Sequence, residues 1–168
     1  MIDADIVTHQ VEQTGTPGLQ ALVDAFGQRI LLADGALDRQ ALGRIVFNNP
    51  ADLKQLVRII DPFIREEILS QLKRYRDTEM TVLDAPTLFE NGYVHLVDEV
   101  VVVYCDPVTQ LQRLIKRNKL SIVSAIKRIG NQWPLQTKCD LADTIIYNSG
   151  TMTTTLTQVD RWLAKETK

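Results

Sequence analysis

Three short runs along the chain are almost continuously apolar, whereas the stretches between them are apolar only every third or fourth residue. Met80-Thr81-Val82-Leu83-Asp84, Glu99 to Tyr104 and Thr144-Ile145-Ile146-Tyr147 are brief and rich in β-branched residues. Such runs suit buried strands of a parallel sheet covered on both faces. Met1-Ile2-Asp3 reads as the end of one more strand, with Asp3-Ala4-Asp5 as the turn into a helix. Helical stripes follow the later runs: Val108, Leu111, Leu114 and Ile115 after Pro107, then Ile122, Ala125, Ile126 and Ile129 after Ser121. Met152, Leu156, Val159 and Leu163 form the last stripe. Strands alternating with helices predict an α/β fold with a doubly wound parallel sheet.

Residues 16–76 are patterned as helix throughout. Pro17 opens a helix that stops at Phe26-Gly27, Asp38 caps one reaching Phe47, and Asn49-Pro50 starts a third. Asp61-Pro62 is expected to divide that third helix from a fourth ending near Tyr75. So much helix exceeds an ordinary crossover. It predicts a helical subdomain over 16–76, inserted into an α/β core made of 1–15 and 77–168.

Composition narrows the classes. With 45% hydrophobic and 24% charged residues, the 168-residue chain can bury a core and is not disordered. A net charge of −2 leaves no general footprint for nucleic acid. No apolar run approaches the roughly 20 residues of a membrane span, and the start lacks a signal pattern, so a cytoplasmic protein is expected. Cys105 and Cys139 lie far apart without metal-ligand spacing and read as reduced packing residues.

Candidate chemistry gathers at the strand ends. Asp3 and Asp5 follow the first strand, Asp84, Thr87 and Glu90 the second, and Asp106 the third. Carboxylates there can face magnesium through water or accept a hydroxyl proton, or they can simply cap helices. A basic group comprises Arg113, Lys116 and Arg117, followed by Lys127-Arg128 and Lys138. Arg113 and Arg117 share a helix face, which suits either an anion bridging two guanidiniums or a solvated surface. His9 and His95 lack metal-ligand company and read as structural. Trp133-Pro134 is either a mobile latch or local packing.

Taken in order, these residues resemble the dephospho-CoA kinase family. The match comprises Ile2-Asp3-Ala4-Asp5, Phe26-Gly27, Asp34-Gly35, Leu37-Asp38-Arg39, Leu42, Val82 to Pro86 and Leu88-Phe89-Glu90. It continues through Val100 to Tyr104, Gln110, Arg113, Arg117, Arg128-Ile129, Gln132, Lys138, Ala142-Asp143 and Asn148-Ser149-Gly150. The resemblance implies a P-loop kinase fold with a helical CoA-binding insertion, a lid at about 117–140, and ATP and Mg²⁺ as cofactors. It implies Asp5 as the base for the ribose 3′-hydroxyl, and Arg117, supported by Arg113, as the neutraliser of the moving phosphate. Asp3, Asp84, Pro86, Leu88, Glu90 and Asp61 would lie on the dephospho-CoA side, with Asp84 reaching metal through water. Arg113, Arg117, Asn148, Ser149 and Gly150 would serve ATP.

The sequence departs from the family pattern at three places. Asp61-Pro62 stands where the family has His-Pro, Thr87 where it usually has Leu, and no G-x-x-x-x-G-K-[ST] occurs. The first, central strand of the family sheet is therefore expected to be absent, leaving apolar edges open to self-association. Loss of a phosphate-stabilising donor costs on the order of 10²–10³ in rate, so the printed chain is expected to be inactive. Two explanations stand: a start codon set too far downstream of an active kinase, or a real truncation that leaves a ligand-binding or protein-interaction module. Another small-metabolite kinase of the same fold is a third reading.

Overall fold

In the computed structural model, which describes residues 1–166, the backbone gathers into two units that meet in sequence at Pro86 and Thr87. The first unit opens with β1 (Ile2–Asp3) and passes without a loop into α1 (Ala4–Val11). The Asp3 carboxylate makes that passage possible by accepting the N–H groups of Asp5 and Ile6 at 2.9 and 3.0 Å. α2 (Pro17–Phe26) starts on a Thr16 cap with Pro at its first position and stops at Gly27, whose φ of 80° suits a residue without a side chain. α3 (Arg39–Val46) and α4 (Pro50–Arg74) begin on the side-chain caps Asp38 and Asn49. β2 (Leu83–Asp84) then lies parallel to β1, pairing Ile2 with Leu83 and Asp3 with Asp84.

α4 corrects one expectation, because Asp61-Pro62 does not divide it. The helix runs unbroken through Pro62, although the ring removes one N–H and leaves the carbonyl four residues back without its helical donor. Ile60, Ile64 and Ile68 explain why. They form one buried stripe on α4, which packs on α1, α2 and α3. Each such side chain contributes about 1.5–3 kcal/mol when buried, enough to outweigh the roughly 3 kcal/mol cost of an interior proline. Gly18 sets the spacing of this unit: a Cβ there would run into the Val11 carbonyl and press on Ile60.

The second unit holds β3 (Val101–Tyr104), α5 (Pro107–Asn118), α6 (Ile122–Gly130), α7 (Leu135–Asp140), β4 (Thr144–Tyr147) and α8 (Met152–Glu166). β3 and β4 are parallel in register, from Val101 with Thr144 to Tyr104 with Tyr147, and the three intervening helices make the crossover a parallel pair requires. Val100, Val102 and Cys139 are buried at its centre, with Leu88, Phe89, Val97, Leu135 and Ile145 packed around them. β1, β2 and β3 are shorter than the runs that predict them, while β4 covers Thr144–Tyr147 in full. β2 pairs over two residues rather than five because β1 offers only two to pair with. The architecture is an α/β fold of short parallel sheets and helices.

Candidate functional site

The sequence-predicted residues fall into two groups, one in each unit. In the first unit the carboxylates gather where β1 and β2 end. Asp3 stands opposite Asp84 in the strand register, and one oxygen of Asp3 is committed to capping α1. Asp5, in the first turn of α1, is exposed, and among the described residues its carboxylate makes no hydrogen bond or ion pair. Partial desolvation at the strand end pushes the Asp84 carboxyl up from the ordinary range, and the negative charges of Asp3 and Asp5 add to the rise. Such a group stabilises a cation or a shared proton.

No three His, Cys, Asp or Glu side chains among the described residues stand close enough to hold a metal ion by themselves. The excess negative charge around Asp84 is what a cation would relieve. Asp61 sits midway along α4 with its carboxylate 3.5 Å from the Arg65 guanidinium. Pro86, exposed, ends the unit. An open depression nearby is lined by Thr8, His9, Glu12, Arg39, Gly43 and Phe47. Glu12 and Arg39 pair there at 2.9 Å; burial raises the Glu12 carboxyl while Arg39 opposes the rise. Nothing in the local sequence of either residue announces that pair.

In the second unit, the Asn148-Ser149-Gly150 turn after β4 is tied down on several sides. Its Asn148 N–H donates to the Tyr104 carbonyl at 2.6 Å, and Ser149 Oγ accepts the Asp106 N–H at 2.9 Å. Arg113 Nη1 donates to the Asn148 carbonyl at 2.6 Å. Thr155 Oγ1 reaches Asn148 Oδ1 at 3.1 Å. Asp106 caps α5 through the Thr109 N–H; hydrogen bonds from Thr109 hold its carboxyl at about 2. Arg117, one turn beyond Arg113, is exposed, and among the described residues its side chain hydrogen-bonds only to Asn118, through Nε at 3.0 Å. The two arginines therefore share a helix but not a ligand: one grips the turn and the other faces water.

Three further residues are tied into the packing of the second unit. Leu88 packs against the buried centre of the unit. Lys138, which follows the basic group in sequence, is buried and pairs with Glu90 at 2.8 Å. Glu90 Oε1 also accepts the Trp133 N–H at 2.8 Å, and Trp133 stacks on Phe89 with ring centroids 6.4 Å apart. Burial alone would raise Glu90, but hydrogen bonds from Lys138 and Trp133 bring it below the usual range. Cys105 and Cys139 are free thiols, both raised by burial and so neutral. No helix among the described residues is long and apolar enough to cross a membrane.

Comparison with known proteins supplies a frame for these groups. The family model described as dephospho-CoA kinase matches residues 1–154. A Bacillus anthracis dephospho-CoA kinase is 43% identical over 98% of this chain and 84% of its own length. One from Enterococcus faecalis is 36% identical over 99% and 84%. Among solved structures, a Thermus thermophilus protein superposes with a TM-score of 0.81 at 25% identity, covering 98% of this chain and 83% of that one. A Campylobacter jejuni dephospho-CoA kinase gives 0.70 at 28% identity, covering 99% and 86%.

Proposed function

Because the chain belongs to the dephospho-CoA kinase family, we propose that it handles the acceptor in transfer of the ATP γ-phosphate to the ribose 3′-hydroxyl of dephospho-CoA, in the cytoplasm. The observation that carries the reading is Asp5: an exposed carboxylate without a partner among the described residues, at a strand-to-helix turn beside Asp3 and Asp84. Asp5 accepts the hydroxyl proton as the oxygen attacks phosphorus. Arg117, unengaged beyond Asn118, meets charge on the phosphoryl oxygens. Arg113 acts on ATP by holding the Asn148–Gly150 turn in shape for the adenine. Asp3, Asp61, Pro86 and the helices of 16–76 attend dephospho-CoA. Mg²⁺, held by Asp84 through water and by the phosphates, would neutralise phosphate charge. Phosphoryl transfer asks for positioning and charge stabilisation of this kind rather than covalent chemistry.

The 168 residues hold no G-x-x-x-x-G-K-[ST], so the backbone cradle for the β-phosphate is not among them. A second reading is a non-catalytic module that binds CoA-like ligands and self-associates through the open edges of its two-stranded sheets. Two assays test both. The chain as given, offered ATP, Mg²⁺ and dephospho-CoA, should bind the acceptor by calorimetry yet release no 3′-phosphorylated product. In a form extended at its N-terminus to include such a loop, turnover should appear and Asp5→Asn should lower kcat by roughly 10²–10⁴, with KM little changed. Failure to bind dephospho-CoA in either form would overturn the acceptor reading. Turnover unaffected by Asp5→Asn would remove Asp5 from its role.

A further inference from the structure

The second unit contains a short arm held at two joints. It leaves α5 at Lys119, in the left-handed region at φ 52°, and carries α6, whose Ile122, Val123 and Ile126 are 62%, 66% and 56% exposed. α6 packs chiefly on α5. Few buried contacts therefore hold the arm, which places it at the low-stability end of the unit. The arm returns at Trp133, and there the sequence offers no local stop: α7 has Pro134 at its start and no side-chain cap. The second joint is made instead by the turn at 87–92, closed by bonds from Asn91 to Thr87, Gly92 to Phe89 and Tyr93 to Leu88.

Glu90 is the centre of that joint. A single oxygen, Oε1, accepts both the Trp133 N–H, the last backbone donor of the arm, and the Lys138 ammonium on α7. The two side chains are 15% and 8% exposed, so the pair works where solvent screening is weak. Phe89, the neighbour of Glu90, stacks on the Trp133 ring. The other oxygen, Oε2, is buried and accepts no hydrogen bond among the described residues. A buried carboxylate oxygen left without a donor is costly, so this carboxylate is held by its location and not by full satisfaction of its own hydrogen bonding.

We propose that Glu90 is a positioning residue that clamps the returning end of the 119–133 arm, fixing the arm and its Lys127 and Arg128 side chains. It acts through Trp133 and Lys138, with no contact to substrate. Any bearing of the arm on phosphoryl transfer rests on the kinase reading above; the clamp itself does not, and the test reads the clamp directly.

The chain has two tryptophans, so Trp162→Phe makes Trp133 the sole indole. In that background Glu90→Gln should make Trp133 more accessible to acrylamide and speed tryptic cleavage at Lys127-Arg128 roughly tenfold or more, as expected for loss of a charged hydrogen bond. Thermal stability should change far less than the arm does. Adding Lys138→Met should return quenching toward the parent, because Gln still accepts from the Trp133 N–H once the ammonium is gone. In the parent, Trp133 emission should titrate with a midpoint below the ordinary glutamate range, and that titration should vanish in Glu90→Gln. Unchanged quenching and cleavage in Glu90→Gln would overturn the clamp. So would changes that merely track global unfolding. If Glu90→Gln fails to fold, the acid titration of the parent decides alone, and a flat emission profile through that range overturns the proposal. Dephospho-CoA binding, measured in parallel, reports on the kinase reading separately.

Discussion

Charge at single residues makes the sharpest test of the acidic group. Asp84 is an exposed residue whose carboxyl is nevertheless raised, by partial desolvation at the strand end and by its neighbours Asp3 and Asp5. A raised folded value means the protonated form is favoured in the folded state. The stability tied to that group is full below the ordinary value near 3.8 and is lost as pH rises through the raised value. Asp84→Asn should therefore raise the melting temperature at pH 7, by about 1–2 °C given the exposure of the site, with the gain shrinking as pH falls toward 4. A gain independent of pH would show that electrostatic crowding is not its source. Individual side chains were unevenly legible in the sequence. Asp3, Asp38 and Asp106 announce their caps because the bonded N–H groups lie two or three residues away. The partners of Arg113 and Glu90 are distant in sequence, and one of them is a backbone carbonyl, which has no side-chain identity to read.

Among elements, helix starts were readable and helix continuity was not. Thr16-Pro17, Asn49-Pro50 and Asp106-Pro107 each combine a cap with proline in the first turn, Ser121 supplies a cap alone, and each opens a helix. Pro62 misleads because its penalty is local, whereas the Ile60–Ile64–Ile68 stripe that overrides it is tertiary. Strand length was legible at β4 and not at β2 or β3, because an apolar run says where a strand is allowed, and its partner decides how much of it pairs. The close approach of α1, α2 and α4 at Gly18 is equally invisible in pattern. A methyl group there meets a carbonyl oxygen that cannot rotate away. Gly18→Ala should cost roughly 1–3 kcal/mol in chemical denaturation despite its better helix propensity. A stabilised variant would mean that α1 and α2 can part without penalty.

At the scale of the whole molecule, the division at Pro86 and Thr87 is the organising fact. The acidic turn, with Asp5 and Asp84, belongs to one unit, and the arginine-tethered turn at 148–150 to the other. Native-state hydrogen exchange should accordingly resolve two blocks of amides, one per unit, each opening with its own common free energy. A single limit shared by both would show instead that the chain opens as one. The boundary has a further consequence, because each unit is an uninterrupted stretch of sequence. During translation at roughly 5–20 residues per second, the first unit has all its internal partners on the order of 4–16 s before the last residue of the chain is joined. Damage to the α4 isoleucine stripe would then act on the nascent chain at the ribosome, and its harm would register in how much chain survives synthesis.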